Sequence, residues 1–136
     1  MSSLSQTPPT PQDIEVVAQV LNIAEFAVWS DMQFRDQRHS IIVLRRFDVI
    51  ALTAVTSERA AALLHDVGKN ISNLGFFSRV IATVVGPRGQ RFIAYHDHER
   101  LGSALLESIS DPRTVALVGG VVDDEISLLL KEADDI

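Results

Sequence analysis

The chain of 136 residues contains no cysteine, which excludes thiol nucleophiles, disulfide scaffolds, iron–sulfur ligation and zinc sites built on cysteine. It also lacks a long apolar run. The longest runs, residues 40–44 and 49–55, are far shorter than the roughly 20 residues that span a bilayer. The first dozen residues have neither the basic region nor the apolar core of a secretory signal. We therefore expect a cytoplasmic protein with no membrane partner.

Positive charge is in short supply, because 12 Lys and Arg face 18 Asp and Glu, for a net charge of −6. This balance argues against nucleic acid as a partner, since phosphate affinity needs clustered cations on a positive face. Most of the cations are arginine, whose forked guanidinium suits paired contacts with carboxylates or phosphates at a contact surface. With 46% hydrophobic residues, a chain of this length has enough apolar surface for one core.

The composition divides the chain into two parts. Residues 1–10 are rich in Ser, Thr, Pro and Gln and predict a flexible leader, whereas residues 11–136 predict a single domain. Four helices are expected within that domain, each with a capping residue at its start. They begin at Thr10, at Thr56 or Ser57, at Asp97 and at Asp123, and the first three end near Glu25, Leu74 and Asp111.

Strands are predicted between these helices. Residues 40–55 are dense in β-branched side chains and favour a strand, bent or turned at Arg46-Phe47-Asp48. Residues 79–95 form a hairpin pattern around Gly86-Pro87-Arg88-Gly89, and residues 114–118 favour a short buried strand. The pattern of residues 26–38 fits either a strand or a continued helix, and we favour the strand.

This order predicts an α+β fold, with an antiparallel sheet of about four or five strands and helices packed on it. The order strand, helix, hairpin, helix, strand is that of a ferredoxin-like split β-α-β arrangement. If residues 41–55 form a hairpin instead, the order resembles that of roadblock- and profilin-like signalling modules.

The segment Tyr95-His96-Asp97-His98-Glu99 is a candidate metal site. On a strand, His96 and His98 would point to the same face and could bind one ion together with a carboxylate. With Gly89 upstream, the segment loosely resembles the cupin metal pattern, although its spacing differs from that pattern. The alternative is that Asp97 caps a helix and both histidines are exposed polar residues.

The dipeptide His65-Asp66 resembles the paired ligands of metal phosphohydrolases of the HD type. Those ligands lie in all-helical domains and are accompanied by additional His and Asp ligands. In the α+β chain predicted above, no additional His or Asp ligand is assigned to this dipeptide. The helical register places His65 next to an apolar stripe, so we expect a partly covered histidine that makes a local hydrogen bond.

No segment matches a catalytic or cofactor fingerprint, so we expect a small regulatory or adaptor protein without a cofactor that acts through protein contacts as a homodimer. The residues expected to form the contact surface are Trp29, Phe34, Arg45, Arg46, Arg88 and Arg91. The alternative is an enzyme that acts on a small molecule or depends on a metal ion and uses residues 96–99.

Overall fold

Six α-helices form the regular structure of residues 7–67, 103 and 106–135, which are the residues that the computed structural model describes. The helices are α1 (Pro11–Val20), α2 (Ile23–Ser30), α3 (Phe34–Ile50), α4 (Thr56–Leu64), α5 (Pro112–Val118) and α6 (Glu125–Asp134). These residues contain no strand, so the α+β prediction, with its ferredoxin-like and roadblock-like orders, is wrong. The predicted hairpin of residues 79–95 and the start of the predicted helix at Asp97 lie outside the described residues.

The first predicted helix starts where expected but divides into two. The Thr10 hydroxyl accepts a hydrogen bond from the Asp13 amide at 3.2 Å, and Pro11 occupies the first helical position. The helix then ends at Val20, because Asn22 caps a new one. The Asn22 side chain accepts from the Glu25 amide at 2.7 Å, and the Glu25 carboxylate accepts from the Asn22 amide at 2.9 Å.

Helix α3 covers most of the stretch that was predicted to be a strand. Its buried residues recur at helical spacing, and they are Gln37, Ser40, Ile41, Val43, Leu44 and Phe47. The β-branched residues Ile42 and Val49, which favoured a strand, lie on the exposed face instead. Packing of one helical face against neighbouring helices therefore outweighs the β preference of individual residues. Residues 26–30 belong to α2 and residues 34–38 to α3, so the strand that was favoured for residues 26–38 is also wrong.

The C-terminal elements also differ from the prediction. Residues 114–118 belong to α5, not to a strand, and Asp111-Pro112 begins that helix instead of ending the previous one. The Asp111 carboxylate accepts from the Arg113 amide at 2.9 Å. Gly120 has a φ of 70°, a left-handed conformation that favours glycine, and it follows the end of α5. Asp124, one residue later than expected, caps α6.

The core lies around α3 and α4. Helix α3 packs against α4 and α6, α4 packs against α5, and α1 contacts both α4 and α2. Arg113 links three helices, because its guanidinium in α5 donates to Glu58 of α4 at 3.0 Å and to Asp124 at the start of α6 at 2.7 Å. The largest fully buried side chains are Trp29, Phe47, Leu44, Leu63, Leu64 and Leu106.

The segment before α1 contacts the helical body. Pro9 is buried, and the Arg38 guanidinium donates to the Thr7 carbonyl at 2.7 Å. The first six residues of the predicted leader lie outside the described residues. Across the described ranges, each helix is too short or too polar to cross a membrane.

Candidate metal centre

Four side chains from three separate parts of the chain converge beside the core. His39 lies within α3, His65 and Asp66 directly follow α4, and Asp134 is the last residue of α6. Each offers one ligand atom, and all four atoms lie within 4.8 Å of one another. Because α3 packs against both α4 and α6, the helix packing itself brings these residues together. We call these four residues the metal cluster.

The Asp134 carboxylate is the centre of the hydrogen bonding in the metal cluster. Its Oδ1 atom lies 2.9 Å from His65 Nε2 and 3.0 Å from His39 Nε2. The Asp66 Oδ2 atom lies 3.2 Å from His65 Nε2 and 3.9 Å from His39 Nε2. Both imidazoles therefore direct the same type of nitrogen at two carboxylates. Ligands bound about 2.1 Å from one ion are at most about 4.2 Å apart, so only small side-chain adjustments are needed to bind it.

A hydrogen bond to the last turn of α4 fixes the orientation of the His65 ring. Its Nδ1 atom lies 2.8 Å from the Ala62 carbonyl oxygen. A carbonyl can only accept, so Nδ1 carries a hydrogen and the lone pair of the neutral ring is on Nε2, which faces the metal cluster. Metal-binding histidines in proteins show this arrangement, in which the second nitrogen donates to an oxygen outside the site.

The metal cluster has a covered side and an open side. The side chains of His65 and Asp66 are 12% and 13% exposed, whereas those of His39 and Asp134 are 35% and 39% exposed. Two adjacent carboxylates on a partly covered surface need a cation nearby, because burial disfavours unpaired charge.

In the metal-free protein, a proton supplies that positive charge. Burial alone would lower the pKa of His65, but hydrogen bonds with Asp134 and Asp66 outweigh it and raise the pKa to about 10. The same hydrogen bond with His65 holds the pKa of Asp134 well below its usual value. His65 is therefore protonated at neutral pH, and a metal ion that binds here displaces its proton.

A cavity of about 130 Å³ adjoins the metal cluster. All members of the metal cluster except His39 line it, and Leu117, Val118 and Leu130 contribute to its apolar wall. Lys131 also lines this cavity and is exposed to solvent. The cavity therefore offers space for a small group next to the position of an ion.

The residues that were expected to form a contact surface differ in their exposure to solvent. Trp29 is only 1% exposed, and its indole nitrogen donates to the Ser40 hydroxyl at 2.9 Å, so its side chain is part of the core. Phe34 is 42% exposed at the start of α3.

The two arginines of α3 that were included in the contact surface already have partners in the chain. Arg45 forms an ion pair with Asp13, and the Arg46 guanidinium donates to the Ala133 carbonyl at 2.9 Å. The remaining candidate residues lie outside the described residues, and these are Arg88, Arg91, His96 and His98. The structure thus leaves the predicted metal pair at residues 96–99 untested.

Sequence reasoning missed His39 and Asp134. His39 was missed because residues 40–55 were assigned to a strand, which separated it from the predicted helix that contains His65. Asp134 was missed because it is one of several acidic residues near the end of the sequence, and no pattern in the sequence distinguishes it from the others. A helical assignment of residues 34–50 would have supplied the signal, because it places a histidine in an all-helical context beside the His65-Asp66 pair.

Comparison of the chain with family models, with curated proteins and with solved structures found no match.

Proposed function

We propose that this protein is a metal-dependent phosphohydrolase that binds one divalent ion through the metal cluster. The observation that carries the proposal is the convergence of two imidazole nitrogens and two carboxylate oxygens within 4.8 Å of one another. The resemblance of His65-Asp66 to the HD-type phosphohydrolases implies an additional His and Asp in a helical domain. His39 and Asp134 fit those two positions, and the helical surroundings fit that setting.

The ligand atoms favour certain ions. Imidazole nitrogen suits zinc, iron, copper and nickel, whereas carboxylate oxygen suits magnesium, calcium and manganese. A set of two imidazoles and two carboxylates therefore suits Mn²⁺, Fe²⁺, Co²⁺ or Zn²⁺. Four ligands from the protein leave two positions open on an ion that prefers octahedral geometry, and the adjoining cavity gives a small ligand access to them.

Each residue of the metal cluster has a defined part in this function. When bound, a divalent ion polarises an ester oxygen and lowers the pKa of a water molecule in its coordination sphere. His65 is held in place by Ala62 and anchors the covered side, while Asp134 contacts both imidazoles and sets their spacing. The apolar wall of the cavity lowers the local dielectric constant and so strengthens electrostatic contacts beside it.

Metal titration of the purified protein tests the proposal. We expect the wild-type protein to bind about one Mn²⁺ or Co²⁺ ion per chain. Asp134→Asn and His39→Gln should each weaken binding by more than the roughly 10- to 100-fold that loss of an outer hydrogen-bond partner costs. Circular dichroism of each variant confirms that it is folded. Calorimetry or, for Co²⁺, visible absorption provides the affinity.

The matched control is the double variant His96→Ala with His98→Ala, which removes the other two histidines of the chain. The proposal requires this variant to keep an ion that Asp134→Asn loses. The reverse result, with binding lost only in the double variant, would move the site to residues 96–99.

Hydrolysis of p-nitrophenyl phosphate and bis(p-nitrophenyl) phosphate tests the reaction class. We expect release of nitrophenol that requires the metal ion and falls to background in Asp134→Asn. A wild-type protein that binds the ion at full occupancy but hydrolyses neither a phosphate monoester nor a diester would refute the proposed reaction and leave a metal-binding protein.

A further inference from the structure

Lys131 combines two features that set it apart from the other residues of the cavity wall. It is the only lysine or arginine among the described residues that line the cavity. It also lies three residues before Asp134 in α6, and residues at this spacing share one helix face. The structure thus places a cationic side chain and a metal ligand on the same face of one helix.

The net charge of the metal cluster with an ion bound determines whether Lys131 is needed to attract an anion. A divalent ion and the two carboxylates of Asp66 and Asp134 sum to zero when both imidazoles are neutral, as metal binding requires. A centre with no net charge exerts no long-range attraction on an anion, and the ion can hold one only through the oxygens that it coordinates directly. Lys131 adds one positive charge at the cavity, and no described carboxylate forms an ion pair with its ammonium group.

The volume of the cavity limits what can occupy it. At about 130 Å³, it is slightly smaller than an engineered protein cavity of roughly 150 Å³ that takes up one benzene molecule. One tetrahedral oxyanion fits this space, but a nucleoside together with its phosphate does not. Any larger part of a phosphate ester must therefore extend out of the cavity into solvent or along the surface.

We propose that Lys131 is the anion-binding residue of the cavity and holds the oxygens of a phosphoryl group that the metal ion does not contact. This inference rests on the proposed function and adds to it the residue that selects for an anionic group. Lysine serves this purpose as a point charge, and hydrogen bonds to charged groups are about twice as strong as neutral ones. Lys131 is in this scheme a positioning residue for the substrate and not a ligand of the ion.

Binding of inorganic phosphate to the Mn²⁺-loaded protein tests the inference, with calorimetry as the readout. Lys131→Met keeps the length of the side chain and removes its charge, and we expect phosphate affinity to fall roughly 10- to 100-fold. Mn²⁺ affinity should stay within about threefold of wild type or become tighter, because a repelling charge has been removed. Lys131→Arg, which retains the charge, should recover most of the phosphate affinity.

The control is Gln19→Glu, which lowers the net charge by the same amount at an exposed position of α1 outside the cavity wall. It should leave phosphate affinity unchanged at physiological ionic strength. If Gln19→Glu weakens phosphate binding as much as Lys131→Met does, the effect comes from net charge and the inference is wrong.

Two further outcomes separate this inference from the proposed function. A protein that binds Mn²⁺ and phosphate equally well with lysine or methionine at position 131 overturns the role of Lys131 and leaves the metal centre in place. A wild-type protein that binds no Mn²⁺ overturns the proposed function itself.

In an activity assay, Lys131→Met should raise KM for p-nitrophenyl phosphate more than it lowers kcat, since uniform binding of the phosphoryl group is lost.

Discussion

At the scale of single residues, the proton on His65 determines the behaviour of the metal-free protein. The Nε2 atom of His65 contacts two carboxylates at hydrogen-bond distance, and its Nδ1–H donates a hydrogen bond to a backbone carbonyl. Both ring nitrogens thus have hydrogen-bond acceptors within reach. These acceptors favour the protonated imidazolium, although the ring is largely buried. A sequence cannot reveal this, because Asp134 reaches His65 only after α4 and α6 have both packed against α3.

The stability of the metal-free protein should therefore depend on pH in a defined direction. The pKa of His65 is raised from 6.5 to about 10 on folding. Its contribution to the free energy of unfolding is therefore fully present below about pH 6.5 and is lost as the pH rises toward 10. The pKa of Asp134 is lowered from its usual 3.8. Its stabilising contribution to the free energy of unfolding is therefore present above pH 3.8 and is lost as the pH falls further. The two shifts favour maximum stability between about pH 4 and pH 6.5.

Thermal unfolding of the metal-free protein measures this dependence. Between pH 6 and pH 9 we expect Tm to fall by about 10 °C, which corresponds to a few kcal/mol for a chain of this size. The variant His65→Gln lacks the titrating ring and should show a much smaller decline over the same range. An identical decline in both proteins would mean that other groups cause it.

At the scale of the helices, the capping residues were easier to predict than the elements that follow them. Thr10 with Pro11 marks the start of α1 as predicted. The caps of α4 and α6 fall within two residues of the prediction, because Val55 caps α4 instead of Thr56 or Ser57, and Asp124 caps α6 instead of Asp123. Residues 40–55 and 114–118 were assigned wrongly because β-branched residues are common in them. Their buried positions in fact follow the period of a helix packed on several neighbours, and only tertiary contacts decide between these two structures.

The division between α1 and α2 is a feature that can be tested by mutation. Asn22 caps α2 through its side-chain oxygen, and its side-chain nitrogen Nδ2 donates to the Ile109 carbonyl at 2.9 Å. We expect Asn22→Ala to lower the free energy of unfolding by about 2 kcal/mol, because a helix cap and a long-range hydrogen bond are lost together. Urea denaturation measures this change.

The matched control for Asn22→Ala is Thr10→Ala at the start of α1. The Thr10 cap is exposed and makes no long-range bond among the contacts of the described residues, so its loss should cost about 1 kcal/mol or less. Equal effects of the two substitutions would show that the bond to Ile109 contributes nothing to stability.

At the scale of the whole molecule, the metal cluster joins parts of the chain that are distant in sequence. Its ligands come from α3, from the end of α4 and from the end of α6. The unfolded chain cannot hold them in this arrangement, so metal binding stabilises the folded state by mass action. Sequence reasoning predicted one domain with a substantial apolar core, but it could not predict which residues meet in space.

We expect the addition of Mn²⁺ at about 100 times its dissociation constant to stabilise the protein by about 2.7 kcal/mol, which raises Tm by roughly 5–10 °C. The shift should increase with the concentration of Mn²⁺. Asp134→Asn should show almost no shift under the same conditions. Differential scanning calorimetry provides both values, and an equal shift in the variant would indicate that Mn²⁺ stabilises the protein elsewhere.

The surface at the end of α3 carries exposed apolar side chains. Val49 is 73% exposed and lines a groove together with Arg46, Ile50 and Glu132. Leu52, two residues after the end of α3, is 84% exposed. The expected homodimer and the adaptor role remain predictions. A metal centre and a contact surface would occupy different parts of this molecule, since the groove includes none of the metal cluster.

The unequal covering of the metal cluster determines how a bound ion would leave. Its more exposed members, His39 and Asp134, face solvent, while His65 and Asp66 lie beneath them. A chelator such as EDTA can therefore contact the ion from the open side before the last protein ligand has dissociated from it. Removal of the ion would then be faster at higher EDTA concentration, and the exchange of one metal for another would pass through a mixed complex instead of through the free ion.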